Sequence, residues 1–207
     1  MVILVGLKDA NIFVSVDTLH PYYAFYKWVD VHWIGCFHVC DQIGDYFPYR
    51  CSQNSTGIDP KFLCFSCRFN SVAYLQQIWW FEVDGQFEFP FPAGTYSLFF
   101  RLQLGRAAKR FGRRICNTEH VHGWEIKPVQ FQIWTSDGQH ASSQCFLNDP
   151  GKWNLYHAGD FVVDGSNTST KLKFSMTQID CTHTKGGLCL DSVLVYPCKL
   201  REGLKHF

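Results

Sequence analysis

The sequence predicts an all-β protein: a jelly-roll-like antiparallel β-sandwich behind an irregular N-terminal leader. Three observations carry this expectation. From Thr95 to Leu104, residues Tyr96, Leu98, Phe100, Leu102 and Leu104 fall on one side of an extended chain. Thr95, Ser97, Arg101 and Gln103 fall on the other, with Phe99 the single mismatch, a period of two that marks a sheet with one wet face. Turn residues recur at short intervals after Ser71, and no stretch has the apolar spacing of an amphipathic helix. Phe (19) far outnumbers Met (2), which suits packing between sheets.

Residues 1–67 read as a divergent leader, either without regular structure or as a small β-rich subdomain that packs on the body. They contain no Glu, five of the ten Cys, and short apolar runs such as Ile12–Val16 without lasting alternation. From Ser71 the strands begin. Val72–Val83 reads as one apolar and aromatic strand, which would point the adjacent Trp79 and Trp80 to opposite faces. Asp84-Gly85 is a hairpin signal, and Phe87, Phe89 and Phe91 alternate with Glu88 and Pro90. After Pro92-Ala93-Gly94 comes the Thr95–Leu104 strand. Gly105–Pro128 is too charged and Gly-rich for core and reads as a connection.

Val129, Phe131 and Ile133 alternate with Gln130 and Gln132. Ser136-Asp137-Gly138 then turns the chain, Gln139–Phe146 returns, and Asn148-Asp149-Pro150-Gly151 turns it again. Leu155–Val163 is the next strand, ended by Asp164-Gly165-Ser166-Asn167. In Lys171–Gln178, Leu172, Phe174 and Met176 point inward while Lys171, Lys173, Ser175 and Thr177 point outward. Leu188–Tyr196 is a buried strand closed by Pro197. Seven or eight strands in this order predict a sandwich at 68–197 and a short tail at 198–207.

Bulk properties narrow the function. A net charge of +1 offers no general reason to expect nucleic acid or an anionic membrane as partner. No apolar run approaches the roughly 20 residues of a membrane span. No charged n-region precedes the apolar Met1–Leu7, so a cytoplasmic or nuclear protein with free thiols is expected, and the sequons at Asn54 and Asn167 then carry no sugar. Cys36-x3-Cys40 and Cys64-x2-Cys67, with His38, fit zinc poorly because only the second pair has knuckle spacing. Neither metal nor cofactor is expected.

Catalysis finds little support. His120 and His122 beside Glu119, and His183 near Asp180 and Cys181, match no nucleophile elbow, phosphate loop or zinc-hydrolase spacing, and an enzyme is not expected. Arg101, Arg106, Lys109, Arg110, Arg113 and Arg114 read as a solvated basic connection. The aromatics are more informative. Trp124, Trp134 and Trp153 lie in or near loops, where an exposed ring stacks on a sugar. Gln130, Gln132, Asn148 and Asn154 supply amides nearby.

Four stretches closely resemble the phloem protein 2 domain of plant F-box proteins: VAYLQQIWWFEVDGQFEFPFPAGTYSLFFRLQLG, RRICNTEHVHGWEIKPVQFQIWTSDGQ, CFLNDPGKWNLYHAGDF and KFSMTQIDCTHTKGGLCLDSVLVYP. The resemblance runs from about Arg68 to Pro197. It implies a nucleocytoplasmic lectin-like domain that binds N-acetylglucosamine oligomers or N-glycan cores without catalysis. It also places acidic sugar-binding residues on the penultimate strand, where Lys171 and Gln178 stand here. Lys171, Gln178, Trp124 and Trp153 are therefore the candidate carbohydrate-binding residues.

Members with an F-box dock a Skp-type adaptor through a helical N-terminal segment, and no such segment is visible here. The lectins also carry a first strand with sugar-stacking tryptophans just before the Ser71 position. Trp28-Val29-Asp30 and Trp33 are similar to that motif but stand too early to match it, so an exposed edge beside Val72–Val83 is expected if the leader supplies no strand. The alternative function is a protein-interaction module that binds protein substrates of a Skp–cullin–F-box ligase.

Overall fold

The computed structural model describes residues 2–8, 11–17, 26–34, 37–41, 71–110, 113–165 and 169–199. Up to residue 72, and at 107–110 and 113–114, it describes the backbone alone. Strands β1 (Val2–Lys8), β2 (Asn11–Asp17), β3 (Tyr26–Ile34) and β4 (Phe37–Asp41) precede β5 (Ser71–Leu75), β6 (Phe81–Phe89) and β7 (Gly94–Leu104). Next come β8 (Arg106–Arg110), β9 (Arg113–Asn117), β10 (Val129–Thr135) and β11 (His140–Cys145). The last are β12 (Trp153–Val163), β13 (Thr170–Gln178) and β14 (Leu188–Pro197). The fold class is the expected one, all-β and antiparallel, with no helix longer than a turn among the described residues.

One layer runs β11-β10-β13-β6-β3. The other is built on β12, β7 and β14, and β14 continues to β5 and β4 along one part of its length and to β1 along another. Phe100 from β7 meets Phe131 of β10 at 5.3 Å and Phe174 of β13 at 5.7 Å between ring centroids. That contact is the core, where inward rows from both layers interdigitate. The alternation of Leu172, Phe174 and Met176 holds as expected, and all three are buried.

The seam between the layers is tied by a side chain. Gln139 donates to the Val162 carbonyl at 2.7 Å and accepts from the Val162 amide at 2.9 Å, imitating one more rung of ladder. Gly159 sits beside the β12 bulge, where a Cβ would come within 2.6 Å of Ala141. Glycine is what lets β12 close over β11.

Several expectations change. The Val72–Val83 strand is broken: β5 stops at Leu75 and β6 starts at Phe81. Between them Ile78 and Lys185 exchange amide–carbonyl hydrogen bonds of 2.8 and 2.9 Å, which draws the chain out of the sheet. Trp79 and Trp80 lie on that excursion, both exposed, rather than on two faces of a strand.

Asp84-Gly85 does not turn. The two residues pair with Ser175 and Phe174 on one side and with His32 and Val31 on the other, and pairing on both sides overrides the local turn preference. The Gly105–Pro128 connection contains the β8–β9 hairpin. The expected wet face of β7 is dry, because Ser97, Phe99, Arg101 and Gln103 are all less than a tenth exposed.

The described part of the leader forms four strands, although no alternation announces them: β1 pairs β14, β4 pairs β5, and β3 pairs β6. Strands β5 and β6 therefore have neighbours on both sides, and no edge is left beside them. β3 carries Asp30 and Trp33 at register positions next to β6, while Trp28 pairs with Phe13 of β2.

Candidate functional site on the outer face of one sheet

The outer face of β11-β10-β13-β6 is a grid laid out by register. One row runs Gln144, Gln130, Thr177, Glu82; the next Ser142, Gln132, Ser175, Asp84; the third His140, Trp134, Lys173, Gln86. Lys171 and Glu88 stand opposite each other one row further on. Every inward neighbour on β10 and β13 is apolar or buried, so the grid follows from period two in four adjacent strands.

Trp134 is 36% exposed and stacks on His140, with centroids 5.2 Å apart and planes 20° from parallel. A flat ring pinned by its cross-strand neighbour, beside amides and hydroxyls, can stack on the C–H face of a sugar while its hydroxyls are hydrogen-bonded. Thr135 and Gln139 face the other way. Their hydrogen bonds hold the Asp137 carboxyl below its usual range and on the side of the hairpin away from Trp134.

The candidate residues are not brought together. Trp124 is fully buried, its ring edge-on to Phe81 at 5.0 Å and its Nε1 donating to the Gly186 carbonyl at 2.7 Å. A ring inside the core cannot stack on a ligand, and this corrects the expected exposure, although Trp124 does lie in the turn region between β9 and β10. Gln178 is 3% exposed and donates to the Lys127 carbonyl. Seven residues separate it from Lys171, and an odd spacing in a strand sends the two side chains to opposite faces. Lys171 points outward and is exposed.

Trp153 opens β12, directly after the turn at 150–152. It is half-buried, with the Arg101 guanidinium 4.9 Å from its ring centroid. Trp134, outside the candidate set, is the exposed ring, and His140 and Lys173 flank it. The alternation of Gln130, Gln132 and Trp134 was the available signal; which strands flank it was not written there.

The other end of the sandwich holds a buried cation. Lys185 is fully buried, and its Nζ donates to the carbonyls of Trp79, Gln178 and Asp180 at 2.7, 2.8 and 2.8 Å. Burial pushes its ammonium down from the usual value, while Cys181 and Asp180 act the other way. Two segments are thereby locked to one atom, the end of β13 and the loop that presents Trp79 and Trp80.

Nothing resembling a nucleophile relay appears among the described residues. Ser97 donates to Asp160 at 2.6 Å and His157 meets the same oxygen at 2.7 Å, so the histidine does not stand between hydroxyl and carboxylate as a general base must. His122 and His183 bond to loop carbonyls. No group of three metal-ligating side chains occurs among the described residues. The Cys36–Cys40 and Cys64–Cys67 pairs lie outside the residues whose side chains are described.

Comparison with known proteins agrees with the sequence motifs. F-box protein PP2-A12 of Arabidopsis thaliana is 72% identical over 141 residues, covering 68% of this chain and 48% of that protein. The chain thus spans about half the length of this relative. Protein PHLOEM PROTEIN 2-LIKE A2 of the same plant is 26% identical over 198 residues, covering 93% of this chain and 88% of that protein.

Among solved structures, a family 61 carbohydrate-binding module in complex with β-1,4-galactotriose overlays 63% of this chain and 73% of its own. The identity is 14% and the TM-score 0.36, too low to bear on a ligand. The family model for phloem protein 2 matches residues 61–197. The chain belongs to the phloem protein 2 family.

Proposed function

We propose that this chain is a non-catalytic carbohydrate-binding protein, and that an oligosaccharide of the N-acetylglucosamine or N-glycan class lies on the outer face of β11-β10-β13-β6. The observation that carries this reading is Trp134, exposed and stacked on His140 in a field of amides and hydroxyls. Membership of the phloem protein 2 family supports it. Of the candidate residues, Lys171 lies on this face, whereas Trp124, Trp153 and Gln178 act in packing.

Titrating N-acetylglucosamine oligomers into the purified chain, with tryptophan emission as readout, tests the reading. Saturable quenching is expected. Trp134→Ala should weaken binding about five-fold, the equivalent of roughly 1 kcal/mol for one aromatic contact. A flat titration of folded protein overturns the assignment to N-acetylglucosamine oligomers.

A second reading is a protein-interaction module that recognises substrates for a ubiquitin ligase. It is favoured by the F-box name of a relative 72% identical over the shared domain and by the exposed Trp79, Trp80, Ile126 and Ile179. Substrate capture that survives Trp134→Ala but is lost on Trp79→Ala would select it.

A further inference from the structure

The candidate sugar-binding face is electrically divided along one strand boundary. On the β6 side stand Glu82, Asp84 and Glu88, with no cation. On the β11-β10-β13 side stand Lys171, Lys173 and the titratable His140, with no carboxylate in any outward position. Trp134 falls in the cationic half. Lys173 is directly opposite it on β13, and His140 is directly opposite it on β11. The three side chains form one row, with neighbouring Cβ atoms about 5 Å apart.

The cations are available. Among the described residues no ion pair joins Lys171 or Lys173 to a carboxylate, although Glu88 lies opposite Lys171; Glu88 accepts a hydrogen bond from Ser169. Asp84 and Glu88 are only diagonal neighbours of Lys173, whose direct partner on β6 is the neutral Gln86. Asp30 occupies the register position beyond Gln86, two strands from Lys173, at a distance of about 10 Å. Over that distance salt screens most of the interaction.

Resting on the carbohydrate reading above, we infer that the sugar seated on Trp134 carries a carboxylate, so that the preferred ligand is a uronic-acid saccharide. The ring stacks on the indole, and its carboxylate meets the Lys173 ammonium on the next strand. The acidic β6 half repels the same carboxylate, which sets the direction of the chain across the face. An unpaired lysine on an open sheet adds little to stability, but beside a stacking ring it discriminates between a charged and a neutral sugar.

The test compares a galacturonic acid trimer with its methyl ester, which replaces each carboxylate by a neutral ester one methyl group larger, and uses the neutral N-acetylglucosamine trimer as a third arm. The acid should bind about three-fold more tightly than the ester at low salt, the size of one exposed ionic contact. That preference should vanish near 1 M salt and in Lys173→Gln, which sits on the open face and leaves the core untouched. Trp134→Ala should weaken acid and ester alike.

Equal binding of acid and ester, or a preference that survives Lys173→Gln, overturns the inference. Acid binding untouched by Trp134→Ala also overturns it, because that is ion exchange without a sugar seat. Binding of the N-acetylglucosamine trimer without either galacturonate form overturns it and leaves the carbohydrate reading standing. Failure of all three on folded protein removes both.

Discussion

Replacing Arg101 by Met should cost this protein about 3–5 kcal/mol, the usual loss when one member of a buried ion pair is removed. Arg101 Nη1 donates to Asp191 Oδ2 at 2.6 Å, and the two side chains are 9% and 2% exposed. Ser192 donates to the same oxygen at 2.8 Å, while Oδ1 is buried without a hydrogen-bond partner. In Arg101→Met the carboxylate keeps one neutral donor and loses its counter-charge. The guanidinium also leaves the face of Trp153.

The cost belongs to the uncompensated charge rather than to the lost contact. The double variant Arg101→Met/Asp191→Leu should therefore recover most of the stability. Urea melts of the three proteins measure this. A single variant within 1 kcal/mol of the parent at neutral pH would show that water reaches Asp191 and that the pair contributes little.

Lys185→Met should cost about 3 kcal/mol, because the three carbonyls of Trp79, Gln178 and Asp180 each lose a donor at roughly 1 kcal/mol apiece. For a chain of this size that lowers the melting temperature by about 10 °C. Methionine fills a similar volume, so little of the loss is cavity. The loop carrying Trp79 and Trp80 should loosen first, since the ammonium and two backbone bonds to Lys185 are what hold it against β14's approach. Hydrogen exchange at Ile78 and Lys185 should rise ahead of global unfolding. If stability drops by less than 1 kcal/mol, a water has taken the place of the ammonium and the clamp is dispensable.

Both predictions concern residues whose role the sequence concealed. Arg101 reads as an outward residue of a half-wet strand, and nothing in the sequence singles out Lys185. Their burial depends on what lies against them. Asp191 is the extra residue where the register of β14 against β7 shifts. Such shifts are produced by pairing and leave no local signature. The same reason accounts for Asp84-Gly85, a strong local hairpin signal silenced by two flanking strands.

What the sequence by itself determined is the class of fold, the inward rows of β7, β10, β13 and β14, and the family. Period-two alternation and long specific motifs are local properties that survive without knowledge of neighbours. The tertiary structure decided which tryptophan is a candidate for binding. Trp124 and Trp134 have the same chemistry, and both stand near Gln or Glu in the chain. One is sealed beneath Phe81, and the other is open on a sheet face beside His140 and Lys173. Exposure and charge surroundings are set by non-local strand order, and only the assembled sheet contains that order.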